Sequence, residues 1–210
     1  MSLLIEDNAV VLFQGDSITD AGRNRESATD LGTGYALQAA AWFQALYPEK
    51  KVQFFNRGIS GNRAVDLRAR WQEDCIDLKP TWVSILIGIN DTWRRYDSQT
   101  ITELSVYEEA YRAILERTTR ELQARLILCE PFVLPVPEDR VAWREDLDPR
   151  IHLVRQLACE YNALLVPFDG IFAQASTQRE PAFWAYDGVH PSEAGHALMA
   201  QSWLRTIKAI

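Results

Sequence analysis

The chain has 210 residues, of which 47% are hydrophobic and 24% charged, and it carries a formal net charge of -7. That length suits one domain, residues 1–210, with a substantial core, and the composition is that of a globular protein in water. The acidic balance argues against nucleic acid or anionic membrane as partner, because both favour Lys/Arg clusters, and no apolar run approaches the roughly 20 residues that cross a bilayer.

Met1–Asn8 reaches Glu6 and Asp7 with no basic leader, so a secretory signal is not expected. Ala9–Gln14 reads as a strand that ends in Gly15-Asp16-Ser17-Ile18-Thr19-Asp20. A helix is expected over Tyr35–Tyr47 and a strand over Lys51–Phe55, followed by the polar loop Asn56-Arg57-Gly58-Ile59-Ser60-Gly61-Asn62. The next helix is Ala64–Leu78, and the strand Trp82–Ile87 runs into Gly88-Ile89-Asn90-Asp91. Helix Glu103–Gln123, strand Arg125–Glu130, helix Asp148–Asn162, strand Leu164–Phe168 and a last helix from Pro191 or Ser192 to Ile207 complete the alternation. Such alternation predicts an α/β fold, a three-layer α/β/α sandwich around a five-stranded parallel sheet. Pro131–Asp146 is expected to be an ordered surface loop, with a lid or a subunit contact as the alternatives. Exposed apolar loops mark partner contacts, which favours a homo-oligomer. Cys75, Cys129 and Cys159 are odd in number and lack metal-type spacing, and they read as reduced, mostly buried thiols of a cytoplasmic protein.

Chemistry enters at two segments. Ser17 ends an apolar strand, and Asp187-Gly188-Val189-His190-Pro191 places a carboxylate and an imidazole three residues apart. A serine hydroxyl needs a base to remove its proton, and the base needs a third group to hold its tautomer. His190 is one of three histidines; His152 reads as a surface or packing residue, and His196 as part of the face of the final helix. In an open α/β sheet the loops leaving the strand C-termini gather at one edge, where Ser17, Gly58 and Asn90 would meet. Gly58 offers an unobstructed backbone N–H and Asn90 a neutral amide, and each donor aimed at an oxyanion is worth about 3 to 4 kcal/mol. Asp16 and Asp20 are expected to hold the nucleophile turn through backbone N–H groups.

The blocks Gly15-Asp16-Ser17-Ile18-Thr19-Asp20, Gly58-Ile59-Ser60-Gly61-Asn62, Gly88-Ile89-Asn90-Asp91 and Asp187-Gly188-Val189-His190-Pro191 resemble those of the SGNH (GDSL-type) hydrolases, in order and across nearly the whole chain. The resemblance implies a flavodoxin-like fold, a Ser17–His190–Asp187 triad, and an oxyanion hole made by the Ser17 N–H, Gly58 and Asn90. Leu31–Tyr35, Ala69–Asp74 and Ile87–Asp97 are similar, more narrowly, to bacterial SGNH acetylxylan esterases. This implies a small ester substrate, an acetylated xylo-oligosaccharide already imported into the cell, and neither metal nor organic cofactor.

Flat aromatic faces stack on pyranose C–H surfaces, and Trp93, Tyr96, Trp184 and Tyr186 lie close in sequence to the catalytic candidates. With Asp16 and Ile59 they are the expected substrate contacts. An SGNH esterase or lipase of non-carbohydrate esters is the alternative reading. A glycosidase with paired carboxylates would leave Ser17 and His190 without a role, and a non-catalytic carbohydrate-binding protein is the alternative of another class.

Overall fold

Side chains alternate across a pleated strand, and in the first strand both faces are apolar. In the computed structural model, which describes residues 3–210, this strand is β1 (Val10–Gly15). Val11 and Phe13 enter one core, while Leu12 enters the other. Met1 and Ser2, part of the leader reading, lie outside the described residues. The other strands are β2 (Gln53–Asn56), β3 (Trp82–Leu86), β4 (Arg125–Cys129) and β5 (Leu164–Val166). All pair in parallel in the order β2-β1-β3-β4-β5.

The same alternation repeats in the central strands: Val83 and Ile85 face one side of the sheet, Trp82 and Leu86 the other. Short turns of helix follow the strand ends at α1 (Ser17–Asp20), and longer helices cover both faces. On one side lie α2 (Tyr35–Leu46) and, from the far end of the chain, α7 (Phe168–Ser176) and α9 (Glu193–Thr206). On the other lie α3 (Ala64–Asp74) and α5 (Leu104–Arg117). The long α6 (Arg144–Glu160) contributes Leu147 and Ile151 to the first core and Leu153 and Leu157 to the second. Trp203 seats against Phe13 at 5.1 Å between centroids and donates its indole N–H to Ser84 Oγ at 3.1 Å.

Three departures from the expected elements bear on the site. Gly88-Ile89-Asn90-Asp91 is not an extended loop but the start of α4 (Ile89–Asp97), and α8 (Pro181–Trp184) forms ahead of the loop that carries Asp187 and His190. The helix expected from Asp148 begins at Arg144, because Arg144–Asp148 and Asp146–Arg150 pair one turn apart and extend it back through Pro149. Pro131–Asp146, expected as an ordered surface loop, does not lie wholly at the surface: Phe132, Val133, Leu134 and Trp143 are buried, and Glu138–Trp143 forms a tight helical turn. Cys75 and Cys129 are buried and Cys159 is exposed. Burial pushes the Cys75 and Cys129 thiols up to about 12, which makes them inert. No helix among the described residues is long and apolar enough to cross a membrane.

Candidate active site

The chain leaves β1 level with the end of β3, since Gly15 pairs with Leu86. Asp16 then turns it sharply by accepting the Ile18 N–H on Oδ1 at 3.0 Å. Ser17 becomes the first residue of α1, and its own N–H has no acceptor among the described residues. Such orphan donors at a helix start attract negative charge. Asp16 is wholly buried, and burial pushes its carboxyl up to about 7. A side chain so enclosed caps the turn and does not meet substrate, which corrects the sequence expectation for Asp16. Asp20 accepts a backbone N–H, that of Ser60, on Oδ2 at 3.0 Å, and the same oxygen takes Ser60 Oγ at 2.8 Å, so it ties the Ser17 turn to the next loop.

The loop that carries Asp187 and His190 is closed by an antiparallel bridge between Ala185 and Pro191 and by Tyr186 N–H donating to His190 O at 3.2 Å. Asp187 Oδ1 accepts the backbone N–H groups of Val189 at 3.0 Å and His190 at 2.8 Å. Its Oδ2 lies 2.8 Å from His190 Nδ1, and Nε2 lies 2.9 Å from Ser17 Oγ. A carboxylate only accepts, so Nδ1 carries the proton and Nε2 is left to accept from the serine. The hydrogen bond from Asp187 raises the His190 pKa above its ordinary value, against the effect of burial. For Asp187, burial works upward, but its bonds from the His190 ring and from two backbone N–H groups outweigh it and hold the carboxyl well below the usual range.

The loop after β2 supplies the correction that matters most. Gly58 is buried, and its N–H donates to Asn56 Oδ1 at 2.8 Å. The Asn56 amide in turn donates to Thr19 O at 2.6 Å and Leu31 O at 2.9 Å, so its orientation is determined. Gly58 therefore has no donor to offer an oxyanion. It is glycine because a Cβ there would stand 2.4 Å from Asp20 N. Gly61, three residues on, has φ +84° and an N–H with no acceptor among the described residues. Its neighbours are both anchored: Ser60 on Asp20, and Asn62 through its carbonyl, which accepts from Asn90 Nδ2 at 3.0 Å. Asn90 lies in the first turn of α4, and its second amide hydrogen is unclaimed among the described residues. Both glycines stand in one short block, so the sequence signal for Gly61 was present; only the partner of each N–H separates them.

The aromatic candidates divide. Trp93 stands 5.7 Å from the His190 ring, centroid to centroid. Tyr96 instead stacks on Trp143 at 5.3 Å and donates its hydroxyl to Ala142 O at 2.8 Å, which holds the Glu138–Trp143 turn. Trp184 donates its indole N–H to Ala175 O at 3.1 Å and lines a cleft with Ile171, Leu198 and Ser202, between α7 and α9. It serves packing rather than substrate. Tyr186 is exposed beside Asp187, with its hydroxyl on Glu193 at 2.7 Å, and Ile59 is half-buried, its N–H on Gly15 O at 3.1 Å. Sequence reasoning missed Arg140, whose guanidinium lies 4.0 Å over the Trp143 ring and 5.3 Å over Trp93, backing the wall beside His190. His152 is exposed, as expected. His196 Nδ1 accepts the Tyr35 N–H at 3.1 Å, capping α2 across the molecule, and burial lowers its pKa to about 4. Among the described residues, no three His, Cys, Asp or Glu side chains gather in a way that would hold a metal ion.

This constellation joins a base-activated alcohol to a set of unpaired donors, as acyl transfer requires. Residues 13–198 match the GDSL-like lipase/acylhydrolase family. The acetylxylan esterase of Geobacillus stearothermophilus is 43% identical over 204 residues, covering 94% of this chain and 93% of its own length. Its crystal structure superposes with a TM-score of 0.91 at 40% identity, covering 98% of this chain and 97% of that one. A Parabacteroides merdae structure described as a GDSL-like lipase gives 0.93 at 36%, covering 97% of each chain. Structures of the Geobacillus esterase include catalytic mutants in which a serine, an aspartate or a histidine is replaced by alanine. Family match, shared fold and ester-hydrolase relatives agree: the chain belongs to the GDSL-like lipase/acylhydrolase family and is a carboxylic ester hydrolase.

Proposed function

We propose that this protein removes acetyl groups from acetylated xylo-oligosaccharides through an acyl-enzyme on Ser17. The observation that carries the reading is the relay of 2.9 Å from Ser17 Oγ to His190 Nε2 and 2.8 Å from Nδ1 to Asp187. The sugar assignment is supported by the relative that is 43% identical and is an acetylxylan esterase. One domain spanning residues 1–210 carries the activity.

His190 Nε2 takes the Ser17 proton as Oγ bonds to the acetyl carbonyl carbon. The carbonyl oxygen becomes an oxyanion, received by the N–H of Ser17, the N–H of Gly61 and the Asn90 side-chain amide. Asp187 keeps Nδ1 protonated and stabilises the imidazolium. The C–O bond to the sugar then breaks, and His190 returns the proton to the leaving oxygen. Water, deprotonated by the same nitrogen, attacks the acetyl-enzyme, acetate departs, and Ser17 regains its hydrogen. Trp93, Tyr186 and Ile59 flank the reacting ester, and Trp93, packed at a tilt against Trp143 at 5.3 Å between centroids, gives the wall an apolar face for a pyranose ring.

We place the enzyme in the cytoplasm, acting on imported oligosaccharides, a setting that suits three unpaired cysteines. We also place it as a homo-oligomer, supported by exposed Trp42, Ile101 and Val141 and open to measurement by light scattering. Mass spectrometry of acetylated xylo-oligosaccharides before and after treatment, beside p-nitrophenyl acetate hydrolysis, tests the function. Ser17→Ala is expected to lower turnover by ~10⁴-fold or more with an unchanged fold. Near-normal turnover in that variant would end the assignment.

A further inference from the structure

Although the chain is acidic overall, the loop that presents Gly61 is wrapped in arginine. Arg23 donates to Gly58 O at 3.0 Å, Arg57 to Asn56 O at 3.0 Å, and Arg70 to Asn62 Oδ1 at 2.8 Å. Arg25 reaches Asp20, the carboxylate that also holds Ser60, and Arg63 follows the loop directly. Arg94 lies one turn beyond Asn90, with its Nη2 3.7 Å from where a Cβ on Gly61 would sit. Against these six guanidinium groups stand four paired carboxylates: Asp20 with Arg25, Asp66 with Arg63, Asp97 with Arg94, and Asp74 shared by Arg57 and Arg70. Asp91, which accepts the Ala64 N–H at the end of the loop, is buried and pushed up to about 7, so it contributes less than a full negative charge at neutral pH. Among these groups guanidinium outnumbers carboxylate, the surplus lying on Arg23 and on the Arg57 and Arg70 pair that shares Asp74.

Arg25, Arg63 and Arg94 remain open to solvent, with side-chain exposures of 49%, 30% and 37%. Each spends one nitrogen on its aspartate: Nη2 of Arg25, Nε of Arg63 and Nη1 of Arg94. Their other donors have no partner among the described residues. Guanidinium donors in a fork match a carboxylate well and bind it more strongly than a neutral hydroxyl.

We propose that Arg25, Arg63 and Arg94 form a rim that receives a carboxylate on the sugar part of the ester, so that acetylated acidic oligosaccharides are preferred over neutral ones. The inference rests on the esterase reading above; because the acyl group there is acetyl, the carboxylate has to belong to the alcohol. The test compares kcat/KM for an acetylated xylo-oligosaccharide bearing a uronic acid with that for the neutral counterpart, in wild type, Arg94→Gln and Arg63→Gln, at low and high NaCl. The acidic-to-neutral ratio is expected to exceed one in wild type, and to fall about tenfold in Arg94→Gln and less in Arg63→Gln, as loss of a charged hydrogen bond dictates. It is also expected to shrink as salt screens the exposed charges. A ratio that ignores both variants and salt, while Ser17-dependent hydrolysis persists, overturns the rim and leaves the esterase standing. A preference seen only with the hemi-ester p-nitrophenyl succinate overturns the assignment to the sugar side. Absence of Ser17-dependent hydrolysis of any ester removes the esterase reading, and this inference with it.

Discussion

His190 and His196 stand six residues apart, on the catalytic loop and in the first turns of α9, and they are tuned in opposite directions. His190 keeps a carboxylate on Nδ1, which favours its charged form; His196 has a backbone N–H on Nδ1, which only a neutral ring accepts. Both partners come from the surroundings rather than from the ring. The difference teaches that an imidazole becomes a catalytic base where its far nitrogen is anchored by negative charge and its near nitrogen faces an alcohol. It becomes a cap where it is enclosed beside a helix start.

The sharpest way to break this contrast is to remove each ring in turn. His190→Ala is expected to lower kcat by ~10⁴-fold or more, since serine loses its base, while His196→Gln, whose amide oxygen can still accept from Tyr35, leaves kcat within a few-fold. Comparable losses at the two positions, measured with p-nitrophenyl acetate, would dissolve the distinction. Next in size is Asp187→Asn. With the carboxylate gone, kcat is expected to fall ~10³-fold. The pH profile adds the sign: turnover needs neutral His190, so in wild type the acidic limb has its midpoint above the ordinary histidine value of 6.5. In Asp187→Asn that midpoint moves to lower pH, and a midpoint that stays or rises would contradict the pairing.

The smallest effect concerns stability. His196 has a folded pKa of about 4 against an ordinary 6.5, so below pH 6.5 the unfolded chain binds a proton that the folded chain refuses. Its contribution is complete above pH 6.5 and is lost as the pH falls towards 4, by no more than about 3 kcal/mol. In His196→Gln, urea unfolding from pH 7 to pH 4.5 is expected to show a flatter decline than in wild type. Identical slopes would mean that the ring is not held neutral.

The alternation of strands and helices was legible because a doubly covered parallel sheet needs continuous apolar runs, as in Val10–Phe13 and Ile85–Ile87, separated by periodic helices. The meeting of Ser17, His190 and Asp187 was legible for a related reason. Ser17, Asp187 and His190 sit at the ends of such runs or in a loop of fixed spacing, so their residue types and order carry the chemistry. Trp93 could be proposed from its nearness to Asn90, because one turn of α4 separates them.

What needed the tertiary structure was every choice among equivalent groups. Gly58 and Gly61 are the same residue in the same block, and the Asn56 amide, fixed by carbonyls at Thr19 and Leu31, claims one N–H and leaves the other open. Trp184 and Tyr96 read like Trp93, but the carbonyls of Ala175 and Ala142 decide where they turn. Residue type and spacing determine what a side chain can do; which donor stays unpaired depends on partners far away in the chain, and only packing brings those together.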